Sequence, residues 1–294
     1  MSLDAAALVL LSALLHPIRD LLLKGHARPE RAYLAVTCGW IVIAAIHAKF
    51  SGIGLGLPTE VQPLAVASAA CLTAYYFGTM AALKTGDLSI YYPIIRSSPL
   101  LIVAVTWAVS DTKYTLPTLA GIVLIVIAAF ALQRQPGRIL GHPKVAALAL
   151  VAMAGSAGYT MADARAMHAH DVPPAQFLFW VYLMVAPAFA LLTWAFRKPP
   201  PVGASANLAT SWLPSPFRVL AASVISYLSY FVILVAFSRG AGAAETAAVR
   251  QVSIPVSVLL AVIVLGETRL AHRLGWASLI AAGIILIVIG DKLL

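Results

Sequence analysis

Several ionisable side chains interrupt long apolar runs of this sequence. They are His16, Arg19, Asp20, Arg96, Asp163 and Arg250. A charge near the centre of a bilayer costs at least about 2.5–3.5 kcal/mol, so such residues usually face a cavity or a partner. Arginine binds phosphate, phosphonate, sulfonate or carboxylate through two donors at once. The arginines therefore predict a site for an anionic group, and the alternative is structural ion pairing with Asp20, Asp163 or Glu245.

The composition defines the surroundings of these residues. Hydrophobic types make up 61% of the 294 residues and charged types only 11%, and the mean hydropathy is +0.92. Soluble domains carry about 25% charged residues, which excludes a soluble enzyme, a nucleic-acid binder and a disulfide scaffold. We expect an all-α integral membrane protein with many spans.

Apolar runs bounded by polar, Gly or Pro residues predict ten transmembrane helices, each near the roughly 20 residues that a bilayer requires. The predicted spans are residues 5–23, 32–48, 62–83, 88–109, 116–132, 145–164, 176–196, 217–238, 243–265 and 274–291. The two longer connections are 133–144 and 197–216, and the second is rich in proline and should be extended.

The sequence contains an internal repeat. Matching pairs at an offset of 156 residues are Gly86 and Gly242, Ser97 and Ser253, Pro99 and Pro255, Asp111 and Glu267, and Thr112 and Thr268. The repeat unit holds five spans, and an odd number places the two units in opposite orientations across the membrane. We therefore predict two inverted five-helix repeats, 1–138 and 139–294, with a site near the midplane between them.

The depths of two arginines fit such a site. Arg96 lies about 12 Å into the fourth span and Arg250 about 10 Å into the ninth, at 1.5 Å per residue. Their spans start from opposite faces of a hydrocarbon core about 30 Å thick. The two guanidinium groups should bracket the midplane as a clamp for an anion.

The first span carries candidate coupling residues. His16 and Asp20 lie one turn apart beside Pro17, and an imidazole and a carboxylate at this spacing can exchange a proton. Asp163 is a further candidate for coupling. In the alternative interpretation Asp20 only anchors Arg19, and His16 is a neutral hydrogen-bonding group.

Tyrosines supply candidate lining residues. Tyr92 lies one turn before Arg96 and shares its helix face. The adjacent pairs 75–76 and 91–92 predict that one member of each points away from the cavity, and membrane-interface anchoring is the alternative for most tyrosines. With Arg19, Arg96 and Arg250, the predicted substrate-binding residues are Tyr92, Tyr76, Tyr159 and Gln251.

The end of each half carries motifs that resemble a known family. Residues 240–244 (GAGAA) lead into a span with Pro255, and Gly266 and Glu267 follow it in a turn. These features resemble the small-residue helix start, mid-span proline and GE turn of EamA-type proteins in the drug/metabolite transporter superfamily. The resemblance covers the whole chain. It implies ten spans in a bacterial inner membrane and small-solute transport by alternating access.

The first span is similar to one subgroup of that family but departs from its pattern. The subgroup has a His, then Trp-Asn, then Lys in this span, and here Arg19 and Asp20 stand in place of Trp-Asn. The turn that ends the first half, residues 110–112, also matches less well than its counterpart. The resemblance therefore implies transport without defining the solute.

We expect a secondary transporter for a small organic anion or zwitterion, such as a phosphonate, sulfonate, carboxylate or amino-acid-like solute. The alternative within transport is an exporter of neutral or aromatic amino acids. The alternative from another class is an integral-membrane enzyme or a lipid flippase acting on an anionic head group. No H-E-x-x-H, G-x-S-x-G or P-loop pattern occurs, so we expect no catalytic residue, cofactor or metal.

The expected partners are the soluble solute and membrane lipids, with no nucleic acid, and the chain should be a monomer or homodimer. Two observations conflict on its orientation. Loop lysines and arginines number twelve after odd-numbered spans and five after even-numbered spans, which places both termini outside. The family resemblance implies termini in the cytoplasm, and the direction of transport stays open with this choice.

Overall fold

The computed structural model describes residues 1–23, 29–83, 91, 94–110, 112–133, 143–195, 216–257 and 270–293. Most of these residues are helical, and none of them forms a β-strand. A 3₁₀ turn at Arg250–Val252 follows α9. The helices are α1 Leu3–Leu23, α2 Pro29–Phe50, α3 Gln62–Leu83, α4 Ser98–Ser110, α5 Leu116–Gln133, α6 Pro143–His170, α7 Pro174–Ala195, α8 Pro216–Ser238, α9 Ala243–Val249 and α10 Leu270–Leu293.

Proline sets the first residue of α2, α6, α7 and α8. The missing N–H of proline has no partner at that position in any helix, and its fixed φ already suits the first turn. The short link between α8 and α9 turns at Gly240, where φ is +84°. A positive φ is accessible to glycine without the steric cost that a side chain brings.

Six helices of the described chain are long and apolar enough to cross a membrane: α1, α2, α3, α6, α7 and α8. The helices α4, α5 and α10 are apolar but shorter in their described parts. Large apolar side chains face outward, and Phe50 and Trp107 are 88% and 71% exposed. This surface is typical of a protein surrounded by lipid. The prediction of an all-helical fold with helices suited to crossing a membrane is confirmed among the described residues.

The bounds of most helices follow the apolar runs, and α6 ends later than predicted. The apolar pattern ends the sixth span at residue 164, whereas α6 continues to His170. A helix satisfies its own backbone hydrogen bonds, so it extends past the apolar run where Ala166 and Met167 remain buried. The predicted turn residues Asp111 and Glu267 lie outside the described residues.

Close helix contacts hold the bundle together. α3 packs along α6, and a Cβ atom at Gly155 would lie 2.6 Å from the Cys71 carbonyl oxygen and 2.7 Å from the Tyr75 nitrogen. α5 meets α10 in the same way, since a Cβ atom at Gly121 would lie 2.6 Å from the Gly283 carbonyl oxygen. Small residues permit such approach between membrane helices.

Candidate functional site

A cavity of about 550 Å³ lies between helices of both predicted repeats. Its walls come from α1, α2, α3, α6, α7 and α8, from the 3₁₀ turn after α9, and from the segment that leads into α4. The volume is in the range of pockets that hold small molecules.

Two helical segments are interrupted where they reach this cavity. α9 gives way to the 3₁₀ turn at Arg250–Val252, and helix resumes at Ser253. In the other half, Ser97 forms a turn between a short helical stretch and α4. Pro255 and Pro99 account for the interruptions, because proline has no N–H for the carbonyl four residues earlier. Both spans were expected to be continuous, so these breaks are a finding of the structure.

Arg96 and Gln251 join the two interruptions. Arg96 Nη1 donates to Gln251 Oε1 at 3.1 Å, and Gln251 Nε2 donates to the Arg96 carbonyl oxygen at 3.1 Å. The Arg96 Nε atom is buried and has no hydrogen-bond partner among the described residues. A neutral amide therefore holds this guanidinium group in place without cancelling its charge.

Arg250 contacts the aromatic wall of the cavity. Its Cζ atom lies 5.6 Å from the centroid of the Tyr230 ring, within cation–π range. The Tyr159 ring lies beside this pair, with its centroid 6.1 Å from that of Tyr230, and it lines the same cavity. These contacts orient Arg250 while leaving its positive charge.

Asp163 lies directly behind this wall. The carboxylate is 1% exposed and accepts hydrogen bonds from the hydroxyls of Ser68 and Tyr230. Tyr230 itself lines the cavity. One hydroxyl group therefore connects the buried carboxylate to the cavity.

His16 pairs with Arg19 on α1. Arg19 Nη2 lies 3.0 Å from His16 Nε2, and Arg19 Cζ lies 5.8 Å from the centroid of the Tyr33 ring. Because arginine has no acceptor, His16 Nε2 must accept this hydrogen bond and the imidazole is neutral in this arrangement. The contact matches the interpretation of His16 as a neutral hydrogen-bonding group.

Aromatic rings form most of the remaining wall. They belong to Tyr33, Trp40, Tyr75, Tyr76, Tyr91, Tyr159, Tyr182 and Tyr230. The rings of Trp40 and Tyr182 lie 4.0 Å apart between centroids, and the hydroxyls of Tyr76 and Tyr182 are 3.0 Å apart. Trp40 Nε1 donates to the Ser226 hydroxyl at 2.7 Å. This network fixes the shape of the cavity.

The structure brings most of the predicted site residues to this one cavity. The predicted residues that line it are His16, Arg19, Tyr76, Arg96, Tyr159, Arg250 and Gln251. Asp163 lies behind Tyr230. Tyr92 and the side chain of Asp20 lie outside the described residues. The roles of all these residues in binding and coupling stay predictions.

The expectation that one tyrosine of each adjacent pair points away is wrong for Tyr75 and Tyr76, which both line the cavity. The lining residues of α3 are Leu72, Tyr75, Tyr76, Thr79 and Met80. Their spacing defines one broad stripe of a helix, and both tyrosines belong to it. Trp40 was missed as a lining residue, although it follows Tyr33 by two turns on the same face of α2.

The electrostatics of this cavity favour an anion. Arg19, Arg96 and Arg250 line it, and no acidic side chain occurs among its described lining residues. Within the part of the chain that the structure describes, no group of three His, Cys, Asp or Glu residues is placed to hold a metal ion. The guanidinium and hydroxyl groups of the lining residues are donors that can bind the oxygen atoms of a ligand.

Comparison with known proteins identifies the fold only. A solved structure described as "Crystal structure of protein" superposes with a TM-score of 0.76, covering 99% of this chain and 98% of that one at 18% sequence identity. The likeness therefore extends over the whole chain. No family model matches the sequence, and no curated protein matches it.

Proposed function

We propose that this protein is a secondary transporter that moves a small organic anion or zwitterion across a membrane, with Arg96 and Arg250 as the anion clamp. One observation carries the proposal: cavity-lining arginines come from both predicted halves, and no acidic side chain is among the described residues that line the cavity. Arginine is suited to binding two oxygen atoms of one anionic group. A phosphonate, sulfonate or carboxylate supplies that geometry.

The proposed architecture is ten spans in two inverted five-helix repeats. Helix packing supports it. When each helix of a contacting pair is replaced by its counterpart in the other half, five spans along the chain, most pairs give another pair that is also in contact. α3 packs on α6 as α1 packs on α8, and α3 packs on α7 as α2 packs on α8. The α2–α7 and α5–α10 contacts map onto themselves. A pseudo-two-fold axis produces this pattern.

The proposed family is the EamA type of the drug/metabolite transporter superfamily, and the proposed location is the inner membrane of a bacterium. The motifs around Gly242, Pro255 and Glu267 support the family. The proposed mechanism is alternating access, in which the two halves rock around the cavity. The interrupted helices at Ser97 and Arg250 support this mechanism, because a short 3₁₀ stretch within a helix often marks a hinge.

The aromatic wall favours a second candidate, an exporter of neutral or aromatic amino acids. Rings such as Trp40 and Tyr182 offer flat apolar surface to a side chain, while an arginine binds the carboxylate. Both candidates use the clamp. They differ in whether a small anion without an aromatic group binds by itself.

The test is thermal stabilisation of the purified protein by methanesulfonate, methylphosphonate, acetate, phenylalanine and phospholipid. A ligand at 100 times its Kd stabilises the folded state by about 2.7 kcal/mol. We expect the small anions to stabilise the wild-type protein. Arg96→Ala and Arg250→Ala should abolish the effect, and Arg250→Lys should restore little because a point charge lacks the bidentate fork.

Arg239→Ala is the matched control, since Arg239 is exposed in the link between α8 and α9. This variant should keep the full stabilisation. Undiminished stabilisation in both Arg96→Ala and Arg250→Ala would remove the arginines from the site. Stabilisation by phospholipid alone would favour a flippase or an enzyme acting on a head group.

A further inference from the structure

We infer that Asp163 takes up a proton when an anion binds at Arg250, so that the anion and a proton cross the membrane together. This inference rests on the proposed function and adds its coupling ion. It follows from the contact between Asp163, Tyr230 and Arg250. The sequence alone favours a different pair, His16 and Asp20, for this role.

Asp163 is a buried carboxyl group whose charge depends on the groups around the cavity. It is 1% exposed, it accepts from the hydroxyls of Ser68 and Tyr230, and Arg250 Cζ lies 5.6 Å from the centroid of the same Tyr230 ring. A buried carboxylate is costly unless hydrogen bonds and an opposite charge stabilise it. Arg250 supplies the opposite charge across the Tyr230 ring.

An anion bound at Arg250 changes this balance. The ligand neutralises the guanidinium group, and the field that stabilises the carboxylate is cancelled. The two hydroxyl donors remain, but they do not replace a full positive charge. Protonation of Asp163 then restores neutrality, because one negative charge enters with the ligand and one positive charge enters with the proton.

Tyr230 provides the path for this proton. Its hydroxyl donates to Asp163 and its side chain lines the cavity. The hydroxyl can pass its proton to the carboxylate oxygen and regain one from water in the cavity. The O–H bond of Tyr230 breaks and re-forms, the O–H bond on Asp163 forms, and the net change is one proton taken from the cavity.

The helices that pack on α6 are α3, α4, α8 and α9, and α8 contributes Tyr230. α3 contributes Ser68 and the Cys71 thiol, and α6 itself contributes Tyr159. α4 has no titratable side chain in its sequence. The acidic residue of α9 is Glu245, whose carboxylate folds against Gly242. Asp163 is therefore the carboxylate that Tyr230 joins to the cavity.

The hydrogen bond between His16 and Arg19 argues against His16 as the group that takes up the proton. Its Nε2 atom accepts from Arg19, so a proton can occupy that atom only if the arginine moves. An imidazolium beside a guanidinium also places two positive charges together. We therefore expect His16→Gln to keep the ratio of protons taken up to anions bound, whatever this change at the cavity wall does to anion affinity.

The test counts protons during binding of methanesulfonate, in weakly buffered detergent solution near neutral pH with an indicator dye. Methanesulfonate has no titratable proton in this range, so any proton taken up enters the protein. Wild-type protein and the exposed-site control Arg239→Ala should take up protons on binding, up to one per bound anion, and His16→Gln should keep the same ratio of protons to bound anions. Asp163→Asn should bind methanesulfonate with no proton uptake, and Tyr230→Phe should slow the uptake.

The outcomes separate the two proposals. Failure of wild-type protein to bind methanesulfonate, or unchanged binding by Arg250→Ala, overturns the clamp and this inference with it. Binding without proton uptake in the wild type, or with full uptake in Asp163→Asn, overturns the coupling alone. If Asp163→Asn does not fold, infrared difference spectra of the wild type decide: methanesulfonate should produce the carbonyl band of a protonated carboxyl group, and no such band contradicts the inference.

Discussion

Arg96 meets a neutral partner inside an apolar protein. Its Nη1 atom donates to Gln251, and its buried Nε atom has no hydrogen-bond partner in the described part of the chain. An unsatisfied buried donor costs about 1–3 kcal/mol, and more when it is charged. Under the proposed function, an arriving anion recovers that cost, and the amide of Gln251 occupies Arg96 until the ligand replaces it.

Gln251→Glu should weaken anion binding. The new carboxylate would lie where Gln251 Oε1 is now, 3.1 Å from Arg96 Nη1, and would form an ion pair. Charge-assisted hydrogen bonds contribute about 1.5–3 kcal/mol, so the Kd for methanesulfonate should rise about tenfold or more by calorimetry. Gln251→Met, which has no charge, should change the Kd much less. Equal affinity in Gln251→Glu and wild-type protein would contradict a ligand at Arg96.

The helices of this protein approach one another where side chains are absent. Gly155 on α6 meets the backbone of α3 at Cys71 and Tyr75, next to the cavity wall. The same element presents Tyr159 to the cavity and Asp163 behind it. The position of α6 against α3 therefore sets the position of both residues.

Gly155→Ala should destabilise the protein. The new methyl group would lie 2.6 Å from the Cys71 carbonyl oxygen, so the backbones of α3 and α6 must separate. Overpacking of this kind costs about 1–3 kcal/mol, which should lower the Tm of the detergent-purified protein by several degrees. Gly275→Ala is the matched control, because nothing lies within 4 Å of its added Cβ atom. A Tm unchanged in both variants would contradict the close α3–α6 contact.

The sequence predicts helices better than it predicts how they face one another. Apolar runs and prolines locate α1, α2, α3, α7 and α8 closely, because both signals are local. The rotation of a helix depends on its neighbours. For that reason the pairing of His16 with Arg19, and the joint exposure of Tyr75 and Tyr76 to the cavity, emerge only in the folded chain. The convergence of the arginines was predictable because charged side chains within apolar spans usually face a cavity or a partner.

At the scale of the whole molecule, most of the helix contacts follow a two-fold pattern, and the α6–α8 contact is the strongest departure from it. α6 packs on α8, whereas the corresponding helices α1 and α3 make no comparable contact among the described residues. The departure coincides with the hydrogen bond between Tyr230 and Asp163. In the proposed two-fold arrangement, this contact is an asymmetric element beside the proposed clamp.

Ten spans predict which side of the membrane each connection faces. With Cys38 and Cys71 replaced, single cysteines at Gly54, Lys113 and Gly137 should be labelled by a membrane-impermeant thiol reagent added from one side at a time. The ten-span arrangement places Lys113→Cys on the same side as Gly54→Cys, because two further spans separate them. Labelling of Lys113→Cys together with Gly137→Cys, on the side opposite to Gly54→Cys, would mean that α4 and α5 do not cross and would contradict ten spans.

Counterflow in proteoliposomes tests most directly whether the arginine-lined cavity transports an anion. Vesicles loaded with unlabelled methanesulfonate receive a trace of the radiolabelled compound outside, and exchange through the protein concentrates the label inside. We expect transient accumulation with wild-type protein and with Arg239→Ala, and none with Arg250→Ala, whose cavity lacks the guanidinium group that holds the anion. Wild-type vesicles that accumulate no more label than protein-free vesicles, or equal accumulation with Arg250→Ala, would contradict transport through this clamp.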